Sequence, residues 1–167
     1  MRKQIHTIGH SNIDSDQLIN RLKQYNISAI VDIRSKPYSK YSPHFNRETF
    51  EHTCKSNNII YFYLGDYLGG KPNDPSVIND SNEIDYYLLS QKDYFLMGIN
   101  KLLNLINKQN TCLMCSEGQP NKCHRNLLVA PILKEKGIEV LHILPSGETI
   151  ASEELLPLKG KKQLALF

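Results

Sequence analysis

Five short runs of branched apolar residues recur along the chain: QIHTIG (4–9), SAIVDIRS (28–35), IIYFYLG (59–65), TCLMC (111–115) and IEVLHIL (138–144). Each is too short for a helix and rich in residues that suit a pleated strand. Amphipathic stretches separate them. Residues 11–26 place Leu18, Ile19 and Leu22 on one face, and 47–58, 83–109 (in two pieces) and 125–137 also read as helical. Strand followed by helix, repeated, predicts an α/β fold: a single three-layer domain with a mostly parallel sheet of about five strands flanked by helices. Asp14 or Ser15 is the expected cap of the first helix and Asn46 that of the second. Pro131 predicts a kink in the last helix, which Gly137 ends. KPYSKYSPHFN (36–46) and DYLGGKPNDPSVINDS (66–81) read as loops.

The chain has 167 residues, enough for one domain with a sizeable core, assigned here to residues 1–157, with 158–167 as a basic tether and tail. A net charge of +3 permits a phosphate-bearing partner without demanding one. No apolar run approaches the ~20 residues of a membrane span, so no membrane partner is expected. The N-terminus MRKQIHTIGHSN lacks a signal-peptide pattern, which makes the cytoplasm the expected compartment. Cys54, Cys112, Cys115 and Cys123 are then expected as thiols rather than as a disulfide framework.

In a parallel sheet, ligands bind at the carboxyl ends of the strands. The unusual residues fall there. Gly9, His10, Ser11 and Asn12 follow the first strand; Asp32 and Arg34 close the second. Gly65, Asp66, Leu68, Gly69 and Gly70 follow the third, and CSEGQPNKCHR (115–125) follows the fourth. In that turn a cysteine ends a strand, and Cys123, His124 and Arg125 open a helix, whose dipole attracts anions and lowers thiol pKa values. Protein tyrosine phosphatases place cysteine and arginine similarly, but as Cys-x5-Arg. Here nine residues separate Cys115 from Arg125 and one separates Cys123 from Arg125, so phosphatase chemistry is not supported. The plainer alternative makes the cysteines core fillers and pairs Arg125 with Glu117. Zinc held by Cys115, Cys123 and His124, with His10 as a distant fourth ligand, is a further alternative, although Cys-x7-Cys is not the usual close pair. No other cofactor is implied.

Asp32 and Arg34, two residues apart, leave the same strand face, so one can orient or neutralise the other. The following loop mixes Lys36 and Lys40 with Tyr38, Tyr41, His44 and Phe45, a combination suited to phosphate pairing and base stacking. The glycines of YLGDYLGGKP permit close backbone approach to a ligand, and Lys71 adds charge at the same edge.

Together TIGHSN, VDIRSKPYSKYSPHFN, YLGDYLGGKP and CSEGQPNKCHR resemble the DUF488 family, a bacterial and archaeal family of uncharacterised function, over residues 4 to 145. The resemblance implies a compact α/β domain. It also implies an active site drawn from His10, Ser11, Asp32, Arg34, Cys115, Glu117, Cys123, His124 and Arg125, with no settled reaction.

The chain ends in LKGKKQLALF. QLALF resembles the bacterial sliding-clamp-binding peptide, with Gln163 at a polar entry and Leu164, Leu166 and Phe167 filling apolar pockets of the clamp. The alternative is that Leu166 and Phe167 close the protein's own core. The expected function is an enzyme of nucleic-acid metabolism, in DNA repair or processing, recruited by the clamp. Cys115 or Cys123 is the candidate nucleophile, His10 or His124 the proton carrier, and Glu117 or Asp32 the orienting acid. Ser11, Asn12, Arg34, Gly69, Gly70 and Arg125 are the candidate substrate-binding residues. Two other readings stay open: a non-catalytic module that binds a nucleotide or DNA end, and a small-molecule enzyme unrelated to DNA.

Overall fold

The computed structural model describes residues 3–155. Its centre is a six-stranded sheet in the order β3-β2-β4-β1-β5-β6. The strands are β1 Gln4–Gly9, β2 Ala29–Asp32, β3 Ile60–Tyr63, β4 Thr111–Cys115, β5 Glu139–Ile143 and β6 Thr149–Ala151. Strands β1 to β5 run parallel, and β6 lies antiparallel to β5. The α/β reading holds, with one strand beyond the five expected. Strand β6 has only three residues and follows a tight turn in which Gly147 takes a φ of 91°. Three residues carry too little alternation to read as a strand from sequence.

Side-chain alternation divides the core between the two faces of the sheet. Ile8, Ile30, Cys112 and Met114 pack with Leu18 and Leu22 of α1 (Ser15–Gln24) and Phe50 of α2 (Arg47–Ser56). Ile5, Val31, Leu113 and Cys115 pack on the other face with Phe95, Ile99 and Leu102 of the long helix Asp93–Ile106, and with Leu128. Each fully buried Leu, Ile or Phe contributes about 2 kcal/mol. Two short helices, α3 Gly65–Leu68 and α4 Tyr86–Ser90, precede the long one, which is α5; α6 is Ala130–Glu135.

Asp14 caps α1 through a reciprocal box: Gln17 N donates to its Oδ1 at 2.7 Å, and its own N–H reaches Gln17 Oε1 at 3.2 Å. Asn46 occupies the cap position of α2 but does not cap it. Its Oδ1 accepts from Ser39 N at 2.7 Å, tying down the 36–46 loop instead. That loop also contains a 3₁₀ turn, Pro43–Phe45, and the expected 66–81 loop includes most of α3 and a 3₁₀ turn at Pro75–Val77. The helix expected over 125–137 is a π-helical turn, Arg125–Val129, that runs into α6. Pro131 lies in the first turn of α6, directly after the π-helical turn, within one continuous helical run. The expected kink position thus coincides with the change from π to α spacing. Gly137, just past the helix, has a φ of 75°.

Strands β1 and β4 are neighbours, yet their connections leave in opposite directions, toward β2 and toward β5. This reversal opens a crevice at the carboxyl ends of the strands.

Candidate active site

The register Gly9↔Cys115 sets the end of β1 against the end of β4. The pairing continues beyond both strands, with His10 N donating to Cys115 O and Ser11 N to Ser116 O, each at 2.9 Å. Only glycine fits at position 9, because a Cβ there would overlap the Glu117 carbonyl. Ser11 takes a φ of 47°, a strained conformation at the crevice lip.

On the α1/α2 side, fully buried Asp32 collects four donors. Arg34 gives it Nε at 2.9 Å, Nη2 at 2.6 Å and its backbone N at 3.1 Å, and Tyr61 gives its hydroxyl at 2.5 Å. Arg34 also donates Nη2 to Phe45 O at 2.8 Å and Nη1 to His10 Nε2 at 3.2 Å. A guanidinium can only donate, so His10 Nε2 is an acceptor and the Nδ1 proton goes to Ser11 O at 2.7 Å. The ring stacks on Phe45 at 4.4 Å. Burial pushes the His10 pKa down to about 4, and the Arg34 charge adds to this. His10 is therefore neutral, with its lone pair engaged by Arg34.

The thiols lie on the opposite side. Cys115 Sγ is 2.7 Å from Cys123 Sγ and accepts from Arg125 Nη1 at 3.2 Å. Burial alone pushes the Cys115 thiol up. The Cys123 S–H and the Arg125 charge outweigh burial and bring its pKa down to about 7. Cys123 moves the other way, well above the usual thiol value, through burial and the adjacent Cys115. His124 donates Nε2–H to Ile33 O at 3.0 Å, which leaves the Nδ1 lone pair facing Cys123 Sγ at 3.6 Å. Burial lowers its pKa to about 4.

Arg125 sits beneath the turn rather than in the crevice. It is fully buried, and its guanidinium clasps Glu117 O at 2.8 Å and Gly118 O at 3.0 Å besides the Cys115 sulfur. Its Nε has no partner, and neither ion pair among the described residues involves it. The bond to residue 117 is made to the carbonyl, while the Glu117 side chain is exposed at the mouth. The guanidinium lines neither of the two crevice cavities and meets the Cys115 sulfur from beneath the turn.

Two adjoining cavities result. One, of about 540 Å³, holds Cys115, Cys123 and His124 at its base with Lys36, Lys71 and Lys122 around it. The other, of about 460 Å³, is lined by His10, Ser11, Asn12, Tyr38, Ser39 and Ser42. Arg34, Lys36, Ser116 and Glu117 border both. Gly70 lines the thiol cavity, where a Cβ would press on the His124 ring at 2.7 Å; Gly69 packs against Ser35. Asp32 lines neither cavity and acts through Arg34. Lys122, Ser42 and Tyr86 are additions that sequence reasoning missed. Tyr86 comes from the start of α4 with no motif around it, so only its position beside the thiols marks it. Lys122 lay within the 115–125 turn and was legible as one more cation at the same edge.

Among the described residues, no group of three or more His, Cys, Asp or Glu side chains is placed to hold a metal ion. No helix among them is long and apolar enough to cross a membrane. The clamp-like residues Gln163, Leu164, Leu166 and Phe167 lie outside the described residues. The profile of a family described as "Domain of unknown function DUF488" matches residues 14–132, which take in Asp32, Arg34 and the whole 115–125 turn. No curated protein and no solved structure gives a significant match.

Proposed function

The chain belongs to the DUF488 family, and we propose that it is a cysteine-dependent hydrolase or transferase acting on a phosphate-bearing substrate of nucleic-acid metabolism. The observation that carries this reading is Cys115 Sγ at the base of a lysine-rimmed cavity, 3.2 Å from a buried guanidinium. Arg125 has no carboxylate partner among the described residues. A thiolate at Cys115 is the anion that balances it. Lys36, Lys71 and Lys122 hold the substrate's phosphate. The Cys115 thiolate attacks the electrophilic centre, forming a bond to sulfur. The bond to the leaving group breaks, and the leaving group departs with that electron pair and the Cys123 proton. Water then displaces the sulfur and returns its proton to Cys123, while Cys115 leaves as the thiolate.

Two features support nucleic acid as the source of the phosphate. Tyr38 and Tyr41 are 55% and 84% exposed on the same loop as Lys36 and Lys40, and Tyr38 lines the adjoining cavity. The tail peptide QLALF resembles the sliding-clamp motif, which would bring the enzyme to DNA. In the folded protein near neutral pH, iodoacetamide is expected to label Cys115 faster than free cysteine. A nucleotide or short single-stranded oligonucleotide that raises Tm should slow that labelling. Labelling at the free-cysteine rate removes the nucleophile, and the absence of any Tm shift with phosphate-bearing ligands removes the substrate class. Deleting residues 163–167 is expected to abolish binding to purified clamp; undiminished binding removes the recruitment step.

A further inference from the structure

The two thiols are placed for a second chemistry that a proton-donating Cys123 does not require. We propose that Cys115 and Cys123 form a redox-active pair that reduces a small anionic disulfide and closes into a Cys115–Cys123 disulfide. The proposal rests on Cys115 as nucleophile, as above, and departs from that reading by making Cys123 a second nucleophile.

Three observations carry it. The sulfurs are already 2.7 Å apart, and a disulfide bond needs them only about 0.7 Å closer. Their surroundings differ as attacking and resolving thiols should: Arg125 touches the sulfur of Cys115, whereas Cys123 faces the free Nδ1 lone pair of His124. Both sulfurs border one cavity with three lysines around it, so the disulfide it admits carries carboxylates or phosphates. Cys54 and Cys112 are fully buried and border neither site cavity, so they offer no competing partner.

In the first exchange, the Cys115 thiolate bonds to one substrate sulfur. The substrate S–S bond breaks, and the other sulfur leaves as a thiolate with that electron pair. In the second, His124 Nδ1 takes the Cys123 proton and Cys123 Sγ attacks Cys115 Sγ. The bound fragment leaves as a thiolate, and His124 passes the proton on to a released thiolate. The substrate gains two electrons and the protein dithiol loses two.

The probe is dithiobis(nitrobenzoate), an aromatic disulfide bearing carboxylates, added to the full folded chain. The wild type is expected to release two equivalents of coloured thiolate quickly. Its intact mass should then fall by two hydrogens with no adduct, and peptide mapping should join Cys115 to Cys123. Cys123→Ser is expected to release one equivalent and keep a mixed disulfide on Cys115. Cys115→Ser should react at least about 10-fold more slowly. A wild type that stops at one equivalent with the adduct retained, or that carries two adducts, overturns the resolving role and leaves the Cys115 nucleophile standing. No rapid release at all overturns both.

Discussion

Asp32 accepts four hydrogen bonds while fully buried, and three of them come from Arg34. Its task at the residue scale is to hold a guanidinium on the border between the two cavities. The pair at 2.6 Å is mostly removed from water, so deleting one charge leaves the other stranded. Asp32→Asn is expected to lower the unfolding free energy by about 3 kcal/mol, the lower end for a buried pair, because Arg34 keeps some contact with the crevice. Tyr61→Phe removes one neutral donor to the same carboxylate and should lower it by about 1 kcal/mol. Urea unfolding of both variants orders the effects, and an Asp32→Asn loss no larger than that of Tyr61→Phe would contradict the assignment. From the sequence, Asp32 and Arg34 were visible as a couple on one strand face. Asp32 also accepts from Tyr61, 29 positions away, and Arg34 donates to Phe45 and His10, 11 and 24 positions away, separations that no local spacing reports.

At the scale of elements, local preference and packing conflict most plainly in α5. Gly98 is a poor helix residue inside an otherwise strong amphipathic pattern, and Ala there should stabilise an isolated helix by about 1 kcal/mol. The glycine lies against α3, however, and a Cβ would meet Tyr67 Cβ at 2.5 Å and Leu68 Cδ2 at 2.9 Å. Tyr67 Cβ is fixed to its backbone, and the Leu68 side chain is fully buried, so neither gives way readily. Gly98→Ala is therefore expected to lower Tm, against its helix propensity, and a raised Tm would show that α3 moves aside freely. The same contrast explains which elements were legible. Strand β4 was readable to its ends, and α1, α2 and α5 to within a few residues, because their apolar spacing follows from the face they bury. The π turn, β6 and the 3₁₀ turns were not, since each is short and held by contacts beyond its own residues.

Across the whole molecule, burial keeps several histidines neutral at once. The pKa of His10 and of His124 is pushed down to about 4 and that of His142 to about 3, and His6 shifts in the same direction. An unfolded histidine titrates at about 6.5. Between that value and the folded ones, the unfolded chain binds more protons, so stability is full above about 6.5 and falls as the pH drops toward 4. Tm is expected to fall steadily from pH 7 to pH 5, and a flat profile across that interval would refute the neutral burial of these rings.

By itself, the sequence determined the layered α/β architecture and brought its unusual residues to one edge of the sheet. Strand and helix periods are local, and parallel connections put every loop of that kind on the same side. Only the tertiary structure decided that the edge holds two adjoining cavities, that Arg125 lies beneath Cys115 and lines neither of them, and that Cys123 meets the Cys115 sulfur while Tyr86 lines the same cavity. Those facts depend on which strands are neighbours and in what register, and a chain fixes that only when it buries all of its apolar faces together.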